Sequence, residues 1–333
     1  MSHGITETDQ MFSVRQPTWH GLGVVLPEHP TREEAQALVH PWEPVEVPLF
    51  THEQAITPDG DLHEGFKEVE EYKAYVRSDD GGMLGVVGQS YQAVSNTLLW
   101  DIAEAVQGSG VDVRYETAGS LYGGRKVWVM LRLEEPLTVK GDPHGATVPY
   151  YVLQNAHDGS RAFRGQATVM RVVCANTARI ADLDASARGT SLVFHHSRNV
   201  EQRIEDARHA LQGWRQSLQD WKDMSEAMMR IGVSAAGERN FLDAFIPMPA
   251  PGTASERVRD NVRRAQEDWR GIYESMTCEG ITGTVYGLVQ TSVEYAEHYR
   301  AAQSQESRFK RSYLDTNRVV SDAVTLAHEV AGA

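Results

Sequence analysis

The chain is poor in cysteine, in lysine and in long apolar runs, and each scarcity removes a class of protein. Its 333 residues hold only two cysteines, Cys174 and Cys278. Two distant thiols in apolar or helical contexts do not make a disulfide framework and suit a reducing compartment. No stretch approaches the ~18 apolar residues of a membrane-spanning helix. Met1 to Gln10 is polar and acidic, without the basic and apolar regions of a secretory signal. We therefore expect a cytoplasmic protein with no membrane partner. Nucleotide-binding fingerprints are missing too. Gly119 to Lys126 is glycine-rich and ends in two cations, but Arg125 intervenes and Val127 follows Lys126 where a P-loop needs Ser or Thr. Gly108-Ser109-Gly110 follows a helix instead of a strand, against the dinucleotide pattern. No metal-ligand spacing is present. No cofactor and no metal are expected.

What is there is acidic and unevenly charged. The formal net charge is −14. Residues 1–100 carry sixteen acidic side chains against five basic. Between 160 and 200 the balance reverses, with Arg161, Arg164, Arg171, Arg179, Arg188 and Arg198 against Asp182 and Asp184. Long-range repulsion by the whole molecule disfavours indiscriminate binding of nucleic acid. A local arginine strip is compatible with it.

The pattern predicts three regions. Residues 1–75 read as an irregular acidic arm, because prolines at 17, 27, 30, 41, 44, 48 and 58 interrupt regular elements. Within it Thr31 caps a short helix, Arg32 to Val39. Residues 76–196 read as an α+β core domain with a mainly antiparallel sheet and packed helices. Strands are expected over Tyr72–Arg77, Met83–Val87, Val111–Leu121, Lys126–Leu133, Pro149–Gln154 and Ala162–Val169. A helix capped by Asn96 spans Thr97–Gln107. Met170–Ala181 is expected to start as strand and finish as helix, with Asn176 and Thr177 as caps. Residues 197–333 read as an all-α C-terminal helical region with a proline-rich linker at 247–251. Its long helix, Asn199 to Arg230, has an apolar seam through Trp214 and Trp221, which could serve an oligomer or the chain's own core.

Three constellations could carry chemistry. His157 and Asp158 follow an apolar strand and could act as base and orienter or as metal ligands. Asn155-Ala156-His157-Asp158-Gly159-Ser160 is equally the composition of a hairpin turn. His20, His195 and Cys174 are weaker candidates of the same kind. The third is the arginine strip. Arginine forks pair with phosphates and an aromatic ring offers a stacking face. Arg161, Phe163, Arg164, Arg171 and Arg179, with Arg125 and Lys126 from the glycine-rich turn, form the candidate nucleic-acid-binding set. The acidic arm is the alternative partner for these arginines.

Several motifs together resemble a family. They are Trp19-His20-Gly21-Leu22-Gly23, Leu84-Gly85-Val86-Val87-Gly88 before Tyr91, Gly123-Gly124-Arg125, Asn155 to Gly159, and Arg171-Val172-Val173-Cys174-Ala175-Asn176-Thr177. They look like the phage/plasmid-like proteins of a family of unknown function, which implies a bacterial host cell but no particular activity. The order helix, β-hairpin, strand, helix across 97–181 is also similar to the core of single-strand annealing proteins of the phage recombinase kind. That likeness implies self-assembly and a basic groove for DNA strands, with Arg161, Arg164, Arg171 and Arg179 on phosphates. The expected function is single-stranded DNA binding or annealing, by a homo-oligomer that is not an enzyme. The alternatives are a hydrolase at the 155–160 turn and a non-catalytic oligomeric interaction protein.

Overall fold

The computed structural model describes residues 9–15, 23–56, 62–107, 113–133, 136–171, 176–179, 192–194, 218–300 and 319–331. The chain divides into two compact units. The first holds Met1–Leu131, Val152–Gly165 and Leu192–Arg208, and the second holds Arg132–Tyr151, Gln166–Ser191 and His209–Ala333.

The first unit holds strands β1 (Met11–Val14), β2 (Val24–Leu26), β6 (Val113–Leu121) and β12 (Leu192–Phe194), most of β7 (Lys126–Leu133), the end of β9 (Ala146–Ala156) and the start of β10 (Phe163–Arg171). Their order is β2-β1-β6-β7-β9-β10, with β12 also on β10. Pairing is antiparallel between β1 and β6 and between β10 and β12, and parallel between β1 and β2. The middle of β7, Val127 to Leu131, is buried on both faces, so its apolar run is continuous, as for a central strand. Helix α1 (Arg32–Val39) begins with a full capping box between Thr31 and Glu34, which satisfies two backbone donors reciprocally. Helix α2 (Asn96–Gln107) buries Leu98, Leu99, Trp100 and Ile102.

The N-terminal stretch is not irregular. Strands β3 (Pro44–Ile56), β4 (Leu62–Arg77) and β5 (Met83–Gly88) form a separate antiparallel sheet in the order β3-β4-β5. Prolines are tolerated because Pro44 opens β3 and Pro48 lies on this edge strand beside a register shift. There a missing N–H costs no ladder bond.

In the second unit β8 (Leu137–Thr138) pairs with β9, and β11 (Asn176–Arg179) pairs with β10. The expected helix start at 176 is therefore a strand. The ladder offered by β10 (Arg171↔Asn176, Met170↔Thr177) outweighs the capping preference of Asn and Thr. Residues 218–230 are helical. Helices α3 (Ala235–Phe245), α4 (Glu256–Tyr273), α5 (Val285–Glu294) and α6 (Val319–Ala331) follow. Ser234, Ser255 and Thr284 cap the first three of these with their hydroxyls. Every residue of α5 is buried, and α4 and α6 pack on it. Trp269 Nε1 donates to Ser292 Oγ at 3.1 Å. An antiparallel-rich α+β fold with a helical C-terminal part is thus the observed class. Leu218 and Trp221 are 4% exposed, so this part of the seam serves the chain's own core. Trp214 lies outside the described residues.

Candidate functional site

The candidate site lies in the first unit, at the end of the sheet where β7 begins, β9 finishes and β10 begins. The turn between β6 and β7 is left-handed at Tyr122, Gly123 and Gly124, with φ of 59°, 70° and 92°. Consecutive backbone N–H groups in this conformation point the same way and make an anion-binding concavity. The protein fills it itself. Asp9 accepts from Gly123 N and Gly124 N at 2.8 and 2.9 Å, and from Ser120 Oγ at 2.7 Å. The glycine-rich segment is thus a cradle for an internal carboxylate. A Cβ on Gly124 would stand 2.6 Å from the Trp42 ring, so the turn needs glycine for close approach as well as for φ.

Trp42 is 2% exposed. The Arg77 guanidinium lies over its ring, 4.6 Å from the centroid, and the His157 ring meets its edge at 5.6 Å. Arg77 donates Nε and Nη2 to the two carboxylate oxygens of Asp79 at 2.9 and 2.6 Å, which raises its pKa. His157 is fully buried. Its backbone N donates to Arg125 O at 2.8 Å, and its Nε2 is 3.0 Å from Asn96 Oδ1. Asn96 Nδ2 donates to Trp42 O at 2.7 Å. That contact orients the amide, so His157 donates its Nε2–H. Asn96 is not the cap of α2. Ser95 Oγ accepts from Leu98 N, and the Glu43 carboxylate takes the N–H groups of Asn96 and Thr97.

The expected His157–Asp158 pair does not converge. Asp158 Oδ1 accepts from Ser160 N at 2.9 Å inside its own turn, while His157 faces the core. His20 and His195, its expected companions, lie outside the described residues, as does Cys174. Among the described residues, no group of three or more His, Cys, Asp or Glu side chains could hold a metal ion.

A cleft of about 420 Å³ opens beside Trp42, with Gln36, His40, Glu43, Ser78 and Thr97 on its walls. Glu43 is already engaged in capping α2. His40 is fully buried with Nε2 2.8 Å from Gly119 O. Burial pushes its pKa down to about 4, with the Arg77 charge adding to it and the Gly119 carbonyl opposing. The unfolded chain, near 6.5, takes up this proton first. Stability is therefore complete above pH 6.5 and declines as pH falls toward 4, by about 3 kcal/mol at the full extent. Urea titrations at pH 7 and pH 5 should show the loss, and His40→Gln should flatten it. An equal slope in the variant would contradict this origin.

The cationic set divides. Arg125, at the turn, and Arg164, on β10, are exposed. Among the described residues neither forms an ion pair. The bond from His157 N to Arg125 O holds the start of β7 against the 157–162 turn that leads into β10, so both cations sit at one end of the sheet. Arg161 is half-buried nearby. Lys126 lies over the Tyr122 ring, 5.4 Å from its centroid. Phe163 does not join them. It is fully buried opposite Phe194 of β12 and offers no face to a base. Arg171 and Arg179 lie on β10 and β11. The alternative ion pairs with residues 28–80 are not made by Arg125 or Arg164. Arg32 of that region turns instead to Asp101 and Glu104.

Sequence reasoning missed Asp9, Trp42, Arg77 and Asn96. Each acts through a contact more than fifty residues away except Arg77, whose Asp79 partner is local.

An antiparallel-rich α+β fold with a cationic sheet end and a mostly helical C-terminal part is the class of protein these features define. The chain belongs to the family described as a domain of unknown function, DUF932, whose model matches residues 83–317. No curated protein and no solved structure matches the chain. The match begins at Met83, so the β3–β4 ribbon lies outside it. Among the described residues no helix is long and apolar enough to cross a membrane.

Proposed function

We propose that the protein binds single-stranded DNA through phosphate contacts at the sheet end formed by β7, β9 and β10, in the DNA metabolism of a phage or plasmid within the bacterial cytoplasm. The observation that carries this reading is the placement of Arg125 and Arg164, exposed and without a carboxylate partner among the described residues, at one end of the sheet. An exposed guanidinium with no internal partner is ready for a phosphate fork. Arg161 and Lys126 flank the pair. Phe163 is removed from the contact set, so affinity rests on charge and is steeply dependent on salt. Charge also supports selectivity. The acidity of the remaining chain repels nucleic acid everywhere else and confines binding to this end.

Fluorescence anisotropy with a labelled oligonucleotide at low salt tests it. Wild-type protein should bind, and Arg125→Glu with Arg164→Glu should weaken binding by about 100-fold, taking each lost charge-assisted contact at roughly 1.5 kcal/mol. Absence of binding by the wild type at low salt, or equal binding by the reversed variant, would sink the reading.

A further inference from the structure

The β3–β4 ribbon stands clear of the rest of its sheet. Residues 50–56 of β3 pair with 62–68 of β4, whereas β5 pairs only with 72–76. Beyond β5 the sheet is two strands wide, and Thr51, His52, Glu53, Gln54, Glu64, Phe66, Lys67 and Glu68 are all exposed. A two-stranded ribbon in water is marginal without something to cover it. One of its faces is apolar. Phe50 is 50% exposed and Phe66 79%. The register sets Phe50 opposite Glu68 and His52 opposite Phe66, and positions two apart share a face. The His52 and Phe66 rings are 5.4 Å apart.

On the free part of the ribbon, before the register shift, that same face carries Glu64 and Glu68 and no lysine or arginine, and Glu70 lies in the irregular stretch of β4 between Glu68 and Lys73. Aromatic rings among carboxylates suit one chemistry, the guanidinium, whose fork takes the carboxylate and whose plane lies on the ring. Nucleic acid would be repelled, and so would a second acidic ribbon. The ion pairs made by the ribbon's own carboxylates stay within it, Lys67 to Glu53 at 3.8 Å and His52 to Glu64 at 4.0 Å. Among the described residues Glu68 and Glu70 form none. The complementary surface exists on the same molecule, at the Arg125 and Arg164 end of the larger sheet, and within one copy no ion pair among the described residues joins the two.

We propose that the ribbon of one copy docks its Phe50–Phe66 face on the Arg125–Arg164 end of a second copy. Two different surfaces meet, so the contact is head to tail and propagates into rings or open chains. The pairing uses the arginines assigned above to phosphates but does not depend on that assignment. A single strand and a neighbouring ribbon then compete for one site.

Sedimentation velocity without nucleic acid tests the pairing separately from DNA binding. Wild type should associate at low salt and fall to monomer at high salt. Reversing the ribbon (Glu64→Lys, Glu68→Lys, Glu70→Lys) should give monomer, and so should reversing the sheet end (Arg125→Glu, Arg164→Glu). An equimolar mixture of the two reversed proteins should associate again, because each supplies what the other lost. Phe66→Ser, at a position 79% exposed, should weaken association with the circular dichroism spectrum unchanged. A wild type that stays monomeric at low salt, association indifferent to the reversals, or a mixture that stays monomeric would each overturn the proposal. Monomeric wild type that still binds an oligonucleotide would remove this inference and leave the DNA reading standing.

Discussion

Phe163→Ala is expected to lower the unfolding free energy by about 3–5 kcal/mol, the range for emptying a buried aromatic site. The adjacent Arg164→Ala should leave it within about 0.5 kcal/mol, as for an exposed substitution. The contrast follows from strand alternation. Phe163 is completely enclosed and sits opposite Phe194, while Arg164 points outward from the same strand. Chemical denaturation reads both effects, and oligonucleotide anisotropy reads what each variant does to DNA binding. A modest loss from Phe163→Ala, with reduced DNA binding at full stability, would mean that the ring is available to a base after all. That result would reverse the assignment of this residue.

Asn96→Ala should be nearly as damaging. The Asn96 side chain is completely buried and holds Trp42 O and His157 Nε2 at 2.7 and 3.0 Å. Its removal strips both groups of these contacts away from water. At about 1–3 kcal/mol for each buried group so deprived, the expected loss is about 3 kcal/mol or more. Asn96→Asp should not rescue it. An ionised carboxylate cannot donate to Trp42 O, and burying its charge carries a further cost. Asp158→Ala, in contrast, removes only the bond from Ser160 N in a surface turn and should cost about 1 kcal/mol or less. Equal losses at Asn96 and Asp158 in urea titrations would show that His157 is held from the Asp158 side. Such a result would revive a functional His157–Asp158 pair.

The parts of the fold legible in the sequence are those fixed by neighbours along the chain. Thr31 caps α1 where it was expected, and Ser255 before a periodic apolar run and the Asp79–Gly82 turn are of the same kind, with their instructions carried within a few residues. The β3–β4 ribbon was hidden because proline reads as a breaker unless the strand is known to lie at an edge, and edge position is a property of the assembled sheet. Strand β11 was hidden for a related reason, since Asn176 and Thr177 favour a cap in isolation and a ladder beside β10. Asn96 was read as a cap from its place before a helix. Its true partners, Trp42 and His157, are 54 and 61 residues away. The candidate site was half legible. Charge counting picked out Arg164 and the glycine-rich turn supplied Arg125, while composition alone could not tell that Phe163, between two arginines, faces inward. The glycine-rich turn matches no phosphate-binding spacing in the sequence, yet its geometry is that of an anion cradle. The anion is Asp9, more than a hundred residues upstream.

The central claim is that Arg125 and Arg164 form a phosphate-binding end. The most direct measurement is the salt dependence of oligonucleotide affinity for the wild type and for Arg125→Ala with Arg164→Ala. For single strands each neutralised phosphate contributes about 0.7 to the slope of log affinity against log salt. The account predicts that the double variant binds more weakly at every salt concentration and that its slope is shallower by about 1.4, the share of two contacts. Parallel lines with unchanged affinity would contradict it, because the two arginines would then carry no phosphate.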